Sequence, residues 1–466
     1  MRSVLFSSPP NNRYEVLSNK IVQVEITDLA FDGKAVGHID GKVIFLDAGL
    51  PGETVVAEIV RSKPRYNQAT VREIVRRSDA RQPAVCPHFD QCGGCAWQDL
   101  AYEQQLFFKK KQVTACIERI GGLESVNVTD VIPCKETFRY RNKMEFSFHV
   151  VSEKEFHLGL HRRGRYDEIF DLETCYLQSE SANKIVHIVR DFVRQKKISV
   201  YDIISHQGFM RFLVIRETRQ TGQIMVCLVT NFGDLPQVDV LIDTLVKEVP
   251  AITTVVHWQN GKKSNVAMAE KETVLYGPGH IEEVLLDRRF RIAAASFFQT
   301  NSRQAEVLYS AAFELLQPSA DDRLLDLYCG TGSIGILLAP RVGEVVGVEL
   351  VPEAVNAAKE NARLNGVKNT EFIEANATDF LKSVTQTGEH YDVVVVDPPR
   401  AGLHPKALKH LIELNPEKLL YISCNPATFA RDAGLLAAAG YTMSDVKPVD
   451  MFPHTKHIEL SCLFSH

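Results

Sequence analysis

A carboxylate and a thiol each end an apolar, strand-length run in the C-terminal third of the chain. Asp397 closes YDVVVVD and is followed by Pro398-Pro399-Arg400, and Cys424 closes KLLYISC and is followed by Asn425-Pro426. Two such strand ends in one sheet make one pocket. A cysteine ending a buried strand is ordinarily a small core residue. Here a proline two residues later, with an asparagine between, makes a rigid turn suited to presenting the thiol outward. Further on, MFPHTKHIEL puts Glu459 beside His454 and His457 in what reads as another strand; the plain alternative is an exposed acid.

A third constellation lies upstream. DLYCGTGSIG, residues 326–335, places Gly330, Gly332 and Gly335 in the pattern G-x-G-x-x-G after an apolar run and at the start of a helical one. Glycines there let the backbone turn tightly and approach a ligand. Glu349 ends the next apolar run, where a carboxylate can accept hydrogen bonds from ribose hydroxyls. Together these point to a nucleoside cofactor, and they fit a dinucleotide and S-adenosylmethionine equally.

Three thiols, Cys86, Cys92 and Cys95, fall within ten residues with Gly93 and Gly94 between them, and Cys175 in DLETCYLQ is a remote fourth candidate. On spacing alone a structural zinc site and an iron–sulfur cluster both fit. Cys116, Cys134, Cys227, Cys329 and Cys462 are scattered and read as small buried apolar residues.

The elements that must position these groups follow from the apolar pattern. From about 282 onward RLLDLYC, EVVGVEL, TEFIEA, YDVVVVD and KLLYISC alternate with helical stretches, which predicts an α/β domain with a mostly parallel, doubly wound sheet over 282–466. Residues 19–78 carry short alternating runs separated by glycines, the pattern of a small β-barrel, and residues 1–18 read as a flexible tail. The interval 79–281 reads as a mixed α+β central domain, with a helix near 100–119. Basic residues gather at Arg61–Arg81 around Tyr66, at Arg139, Arg141 and Lys143 interleaved with Phe138 and Tyr140, and at His161–Arg165. Each is either a solvated face or part of an RNA surface.

The chain has 466 residues, 45% hydrophobic and 24% charged, too long for one ordinary core and too apolar for disorder. Its 53 basic and 58 acidic residues give a net charge of -5, so any RNA contact must rest on local basic groups. No apolar run suits a membrane span or a signal peptide, which predicts a cytoplasmic protein, and a monomer is the simplest expectation. Ten cysteines at this length are too dilute for a disulfide scaffold.

DLYCGTG, DPPRAG, SCNPATFARD and MFPHTKHIE, with FFQTN at 297–301, resemble in content and order the motif set of the RNA 5-methyluridine methyltransferases. The likeness runs from about residue 20 to the C-terminus and is greatest to the bacterial iron–sulfur 23S rRNA (uracil-5-)-methyltransferases with a TRAM domain. It implies a class I methyltransferase fold for the C-terminal domain and an OB-like TRAM barrel, an RNA-binding module, at its start. It implies Cys424 as nucleophile, Glu459 as base, and S-adenosylmethionine contacted by Gln299, Tyr328, Ser333, Glu349, Asn376 and Asp397. It also implies a 4Fe-4S cluster on Cys86, Cys92, Cys95 and Cys175. The expected reaction is methylation of carbon 5 of a flipped uridine in 23S rRNA, with tRNA as the alternative substrate.

That chemistry suits the residue types. Carbon 5 of uracil is a poor nucleophile until a thiolate adds to carbon 6, and a base must then take the proton from carbon 5 so that the cysteine can leave. Two other classes stay open on sequence: an NAD-dependent iron–sulfur oxidoreductase, which leaves Cys424 and Asp397 without roles, and a non-catalytic RNA-binding protein, which leaves the thiol, the carboxylate and the cofactor acid unexplained.

Overall fold

In the amino-terminal region every second residue is apolar, and that alternation is enough to close a barrel. The computed structural model describes residues 20–152 and 155–466, so the tail expected over 1–18 lies outside the described residues. β1 (Lys20–Leu29), β2 (Ala35–Ile39), β3 (Lys42–Leu46), β4 (Thr54–Ser62) and β5 (Tyr66–Arg76) form a closed barrel in the order β1-β2-β3-β5-β4. Val22, Val24 and Ile26 point inward from β1 while the residues between them face solvent. Gly37 is required where β1 and β2 press together, because a Cβ there would lie 2.5 Å from Val24 Cγ1 and 2.6 Å from the Glu25 carbonyl oxygen.

The basic run on this barrel is narrower as a surface than its seven cations suggest. Arg72 pairs with Glu58, Arg76 with Glu25, and Arg81 with the buried Glu53 and with Asp99. Arg61, Arg65 and Arg77 are exposed, and Lys63 lies 5.2 Å over the Tyr66 ring.

The described chain separates into two compact units. One holds the barrel and Asp99–Phe108, and the other holds Ala84–Gln98 and Lys109–His466. Helix α1 (Tyr102–Arg119) lies where the sequence pattern predicts it. In the second unit β6 (Lys143–Ser152), β7 (Glu155–Arg162), β8 (Arg165–Asp171), β9 (Met210–Glu217), β10 (Ile224–Thr230), β11 (Ile252–Gln259) and β12 (Lys271–Tyr276) make a seven-stranded sheet in the order β12-β11-β10-β9-β6-β7-β8. Its middle strands are buried on both faces. Leu213, Ile215, Val226 and Leu228 join a core with helix α2 (Glu180–Gln195) and helix α3 (Val238–Glu248). The alternate residues Phe212, Val214, Met225 and Cys227 join a second core that continues into the C-terminal sheet through Leu324, Val345 and Val393. One core therefore crosses the boundary expected near 281, with the hairpin β13 (His280–Leu285) and β14 (Arg288–Ala293) contributing Ile281 and Phe290 to it.

The C-terminal sheet follows helix α4 (Ser302–Leu316) and contains β15 (Arg323–Leu327), β16 (Glu344–Glu349), β17 (Thr370–Glu374), β18 (Val393–Val396) and β19 (Lys418–Ser423), all parallel. β20 (Thr442–Met443), β21 (Lys447–Val449) and the antiparallel β22 (Glu459–Ser465) complete it, and the path is β17-β16-β15-β18-β19-β22-β20 with β21 against β22. The covering helices are α5 (Ser333–Leu338), α6 (Pro352–Leu364), α7 (Ala377–Thr387), α8 (Pro405–Leu414) and α9 (Pro426–Ala438). The strand order reverses at β15, between β16 and β18, and ligands in such sheets sit at that switch point. MFPHTKH is not part of the last strand: Pro453 and the left-handed His454 (φ 64°) interrupt extended pairing, and the strand begins at Glu459. No helix among the described residues is long and apolar enough to cross a membrane.

Candidate active site

A cleft of about 1980 Å³ opens at the carboxyl ends of the parallel strands. The residues expected to hold the cofactor all line it: Gln299, Tyr328, Ser333, Glu349, Asn376 and Asp397. The expected nucleophile Cys424 and base Glu459 line it as well.

The glycine loop takes its shape from left-handed residues and one buried acid. Tyr328 (φ 65°), Gly330 (φ 54°) and Gly332 (φ 79°) turn the chain out of β15, and Ser333 starts α5. Asp326, fully buried within β15, accepts the Gly335 amide at 2.9 Å. A Cβ on Gly335 would come within 3.1 Å of that carboxylate oxygen and 3.0 Å of Val345, so the third glycine of the motif serves packing between loop and sheet. Burial raises the Asp326 carboxyl to about 8. Glu349 clasps the loop from β16, with Oε2 accepting Gly330 N–H at 3.2 Å and Oε1 accepting Leu350 and Val351 N–H. Asn376 both lines the cleft and caps α7, its Oδ1 accepting Thr378 N–H at 2.9 Å. Gln299 is fixed through its carbonyl, which accepts from Asn142 Nδ2 at 3.0 Å.

Asp397, Cys424 and Glu459 form the other end. Cys424 sits in the turn between β19 and α9, where Asn425 caps the helix through Ala427 N–H at 3.1 Å and donates from Nδ2 to the Arg400 carbonyl at 2.9 Å. Glu459 opens β22 opposite Val449 of β21 and is 5% exposed. Burial pushes the Asp397 carboxyl up to about 7. It pushes the Cys424 thiol up to about 11, with Glu459 and Asp397 adding to the shift and Arg400 opposing it. Glu459 is likewise raised far above the usual carboxylate range by burial, then by Asp397, against the pull of Arg400. In the free protein burial therefore holds the acids of this end toward their neutral forms.

Arg400 follows Asp397-Pro398-Pro399 and has no role assigned from the sequence. It is the cation acting on both Cys424 and Glu459, and its Nη2 approaches His457 Nδ1 at 3.3 Å. Burial and Arg400 hold His457 down to about 4, so the ring meets the guanidinium as a neutral acceptor. The signal for Arg400 was its place directly after Asp397-Pro398-Pro399.

The four remaining candidates gather elsewhere in the same unit. Cys86, Cys92 and Cys95 lie on the segment 84–98 and Cys175 on the link between β8 and α2. Burial raises Cys95 to about 12 and Cys175 to about 11, and the thiols raise one another, Cys95 responding to Cys175, Cys92 and Cys86. Gly94 N–H donates to Cys92 Sγ at 3.3 Å and Gln98 Nε2 to Cys95 Sγ at 3.1 Å. Among the described residues no group of three or more His, Cys, Asp or Glu side chains converges so as to hold a metal ion. The thiol segment rests on the β7–β8 hairpin: Gly93 N–H bonds the His161 carbonyl at 3.1 Å, and Arg163 Nη2 donates to the Phe89 and Cys95 carbonyls, each at 3.0 Å. In the basic cluster His161–Arg165, Arg163 thus serves the thiol segment. The other five cysteines are apart; four are buried, and Cys116 is half-buried.

Comparison with known proteins agrees with this geometry. Residues 101–466 match the family described as tRNA (Uracil-5-)-methyltransferase, and residues 15–71 match the TRAM domain. An "Uncharacterized RNA methyltransferase" of Halalkalibacterium halodurans is 40% identical over 95% of this chain and 96% of its own, and one of Chlorobaculum tepidum is 39% identical over 95% and 96%. The crystal structure of Pyrococcus abyssi tRNA (uracil-54, C5)-methyltransferase in complex with S-adenosyl-L-homocysteine superposes with a TM-score of 0.77 at 32% identity, covering 95% of this chain and 99% of that one. With the glycine loop at the switch point, a thiol and an acid on the same cleft, and relatives that match over 95% of its length, the chain belongs to the uracil-5 RNA methyltransferase family and carries a TRAM barrel ahead of an S-adenosylmethionine-dependent catalytic domain.

Proposed function

We propose that this RNA methyltransferase modifies carbon 5 of a uridine of 23S rRNA by covalent catalysis, with Cys424 as nucleophile and Glu459 as base. The observation that carries the covalent route is the meeting, on one cleft with the glycine loop, of a half-buried thiol and a buried carboxyl. Gln299, Tyr328, Ser333, Glu349, Asn376 and Asp397 are assigned to hold S-adenosylmethionine. When bound, it supplies an electrophilic methyl group and a positive charge.

The residues act in sequence. Cys424 Sγ bonds to carbon 6 of the flipped uracil, and the electrons of the ring double bond move toward carbon 5 and the carbonyl at position 4. Once carbon 5 is methylated, Glu459 takes its proton, the double bond re-forms and the bond from carbon 6 to sulfur breaks, restoring the thiolate. Both groups need a cation nearby to ionise, because burial holds the thiol at about 11 and the carboxyl in its neutral range in the free enzyme. Arg400 supplies one, and the positive charge of a bound cofactor would add a second.

Cys86, Cys92, Cys95 and Cys175 are assigned to a 4Fe-4S cluster. What supports this is the donor set: Cys95 and Cys175, each raised in part by the charge of Cys92 and Cys86, with N–H groups of Gly94 and Gln98 directed at the sulfurs of Cys92 and Cys95. Iron and sulfide content of anaerobically purified protein and of a Cys95→Ser variant tests it.

Methylation of tRNA is the second reading, favoured by the likeness to the P. abyssi tRNA enzyme over nearly the whole chain. The purified enzyme and S-adenosylmethionine are offered unmodified 23S rRNA fragments and tRNA transcripts in parallel, and digested nucleosides are assayed by mass spectrometry. 5-Methyluridine from the rRNA alone supports the proposal, product from tRNA alone moves the substrate, and none from either removes the reaction.

A further inference from the structure

Cys424 is held by its own turn, whereas Glu459 follows a nine-residue loop, 450–458, that the pairing of Val449 with Glu459 closes at its base. The first five residues of that loop, 450–454, are each gripped from outside. Lys109 Nζ binds Asp450 Oδ1 at 2.6 Å and the Phe452 carbonyl at 3.1 Å. Asn301 Nδ2 donates to the Met451 carbonyl at 3.0 Å, and the Tyr140 hydroxyl to the Pro453 carbonyl at 3.0 Å. Phe138 stacks on the His454 ring with centroids 4.3 Å apart. The last grip comes from the thiol segment: Ala96 N–H and Trp97 N–H both donate to the His454 carbonyl, at 2.8 and 3.0 Å.

His454 is the left-handed residue at which the loop turns, five positions before Glu459 and three before His457, the neighbour of Arg400. A carbonyl that accepts two main-chain donors from one segment is fixed in direction as well as position. The donors follow Cys95 directly, and Arg163 clamps the Cys95 carbonyl from the other side. The path from the thiols to the catalytic carboxyl is thus Cys95, Ala96 and Trp97, the His454 carbonyl, Glu459.

We propose that the segment Cys95–Trp97 is a positioning element for proton removal, setting the aim of Glu459 through the His454 carbonyl while leaving addition of Cys424 to the base untouched. The proposal rests on the assignment of Glu459 as base. It makes the thiol segment part of the catalytic geometry and predicts which half of the reaction its disturbance slows. A misaimed base leaves a methylated uridine still bonded to Cys424 at carbon 6.

Ala96→Pro removes one of the two donors and keeps all four thiols and the loop itself. The intact protein is followed in three ways: 5-methyluridine released, covalent RNA–protein adduct on a denaturing gel, and amide exchange of the 451–458 peptide without RNA. The expected result is turnover lower by about ten- to a hundredfold, an accumulating adduct, KM values for both substrates unchanged, and faster exchange confined to that peptide. Tyr140→Phe, which removes the grip on Pro453 by a single hydroxyl, gives the same pattern more weakly and guards against misfolding of the proline variant. Wild-type turnover in Ala96→Pro overturns the proposal. So does a loss of activity without adduct, or faster exchange with normal adduct turnover. Wild-type enzyme run alongside separates these outcomes from failure of the reaction itself, since an enzyme that makes no 5-methyluridine at all refutes the assignment of Glu459 before any variant is compared.

Discussion

The two ends of the catalytic cleft face one substrate and are held in opposite ways. Cys424 is placed by its immediate neighbours: β19 runs up to it, Asn425 caps the helix behind it, and Pro426 starts that helix with a fixed φ. Glu459 is placed by segments far away in sequence, because loop 450–458 takes its bonds from residues near 96, 109, 140 and 301. A locally built group should tolerate remote substitutions and fail only on its own. A remotely built group should lose its function in a graded way as each support is removed. Variants that remove one kind of support at a time can break this contrast or sharpen it.

The largest effect belongs to the groups themselves. Cys424→Ala should lower 5-methyluridine formation by about 10³-fold or more and give no adduct on a denaturing gel. Glu459→Gln should still form the adduct and release it slowly. If both variants behaved alike, the division of the cleft into a nucleophilic end and a proton-removing end would fail.

Next comes the deepest remote support. Lys109 and Asp450 are both fully buried and 2.6 Å apart, and burial presses Lys109 toward neutrality while Asp450 restores its charge. Lys109→Met removes the cation beside a buried carboxylate and should cost about 3–5 kcal/mol in urea denaturation. Lys109→Met/Asp450→Leu removes both charges and should recover most of that stability. Because it still lacks the grip on the Phe452 carbonyl, it should not recover the rate of adduct release. Full recovery of both would show that the loop holds itself.

How much of this was readable beforehand divides along the same line. The order of motifs and the alternation of apolar runs carried the sheet, the glycine loop, Asp397 and Cys424, since each depends on residues within a few positions of one another. The supports of loop 450–458 were not readable, because a hydrogen bond to a main-chain carbonyl leaves no mark on the sequence of the segment that accepts it. Phe138 and Tyr140, read with their basic neighbours as a possible RNA surface, are instead spent on His454 and Pro453, and Arg163 on the thiol segment. A cation count does not show that an exposed arginine such as Arg163 also donates to two main-chain carbonyls. The last strand is also shorter than the sequence suggests: Pro453 and the left-handed His454 break extended pairing before Glu459.

A smaller effect tests the cofactor side. Burial raises Asp397 to about 7, above its ordinary value of 3.8, so the group is neutral below that pH and a carboxylate above it. If it binds the positively charged cofactor, affinity for S-adenosylmethionine measured calorimetrically should rise about tenfold from pH 6 to pH 8. Asp397→Asn should bind weakly and without that slope. The sign for stability is the reverse: ionising a half-buried carboxyl whose folded value is raised costs folding energy as pH rises through about 4 to 7, so Asp397→Asn should melt higher than wild type at pH 8. A flat binding profile in the wild type would remove Asp397 from the cofactor's charged centre.

The smallest effect probes whether the thiol end is as local as it looks. Asn425 makes two bonds of different kinds, a cap to Ala427 N–H and a tether from Nδ2 to the Arg400 carbonyl. Loss of the cap in Asn425→Ala should cost about 1 kcal/mol of stability. Thr428 Oγ1 also reaches the Arg400 carbonyl, at 3.3 Å, so the tether is weakened without being lost. Arg400 is the cation that opposes the rise of the Cys424 thiol, and a small retreat of its guanidinium should move that thiol further above about 11. Alkylation of Cys424 by iodoacetamide, followed on its own peptide by mass spectrometry, should therefore shift to higher pH in Asn425→Ala while exchange of the 451–458 peptide stays as in the wild type. A change in that peptide would mean that Arg400, through its contact with His457, couples the two ends, and the thiol would then share the remote supports of the acid.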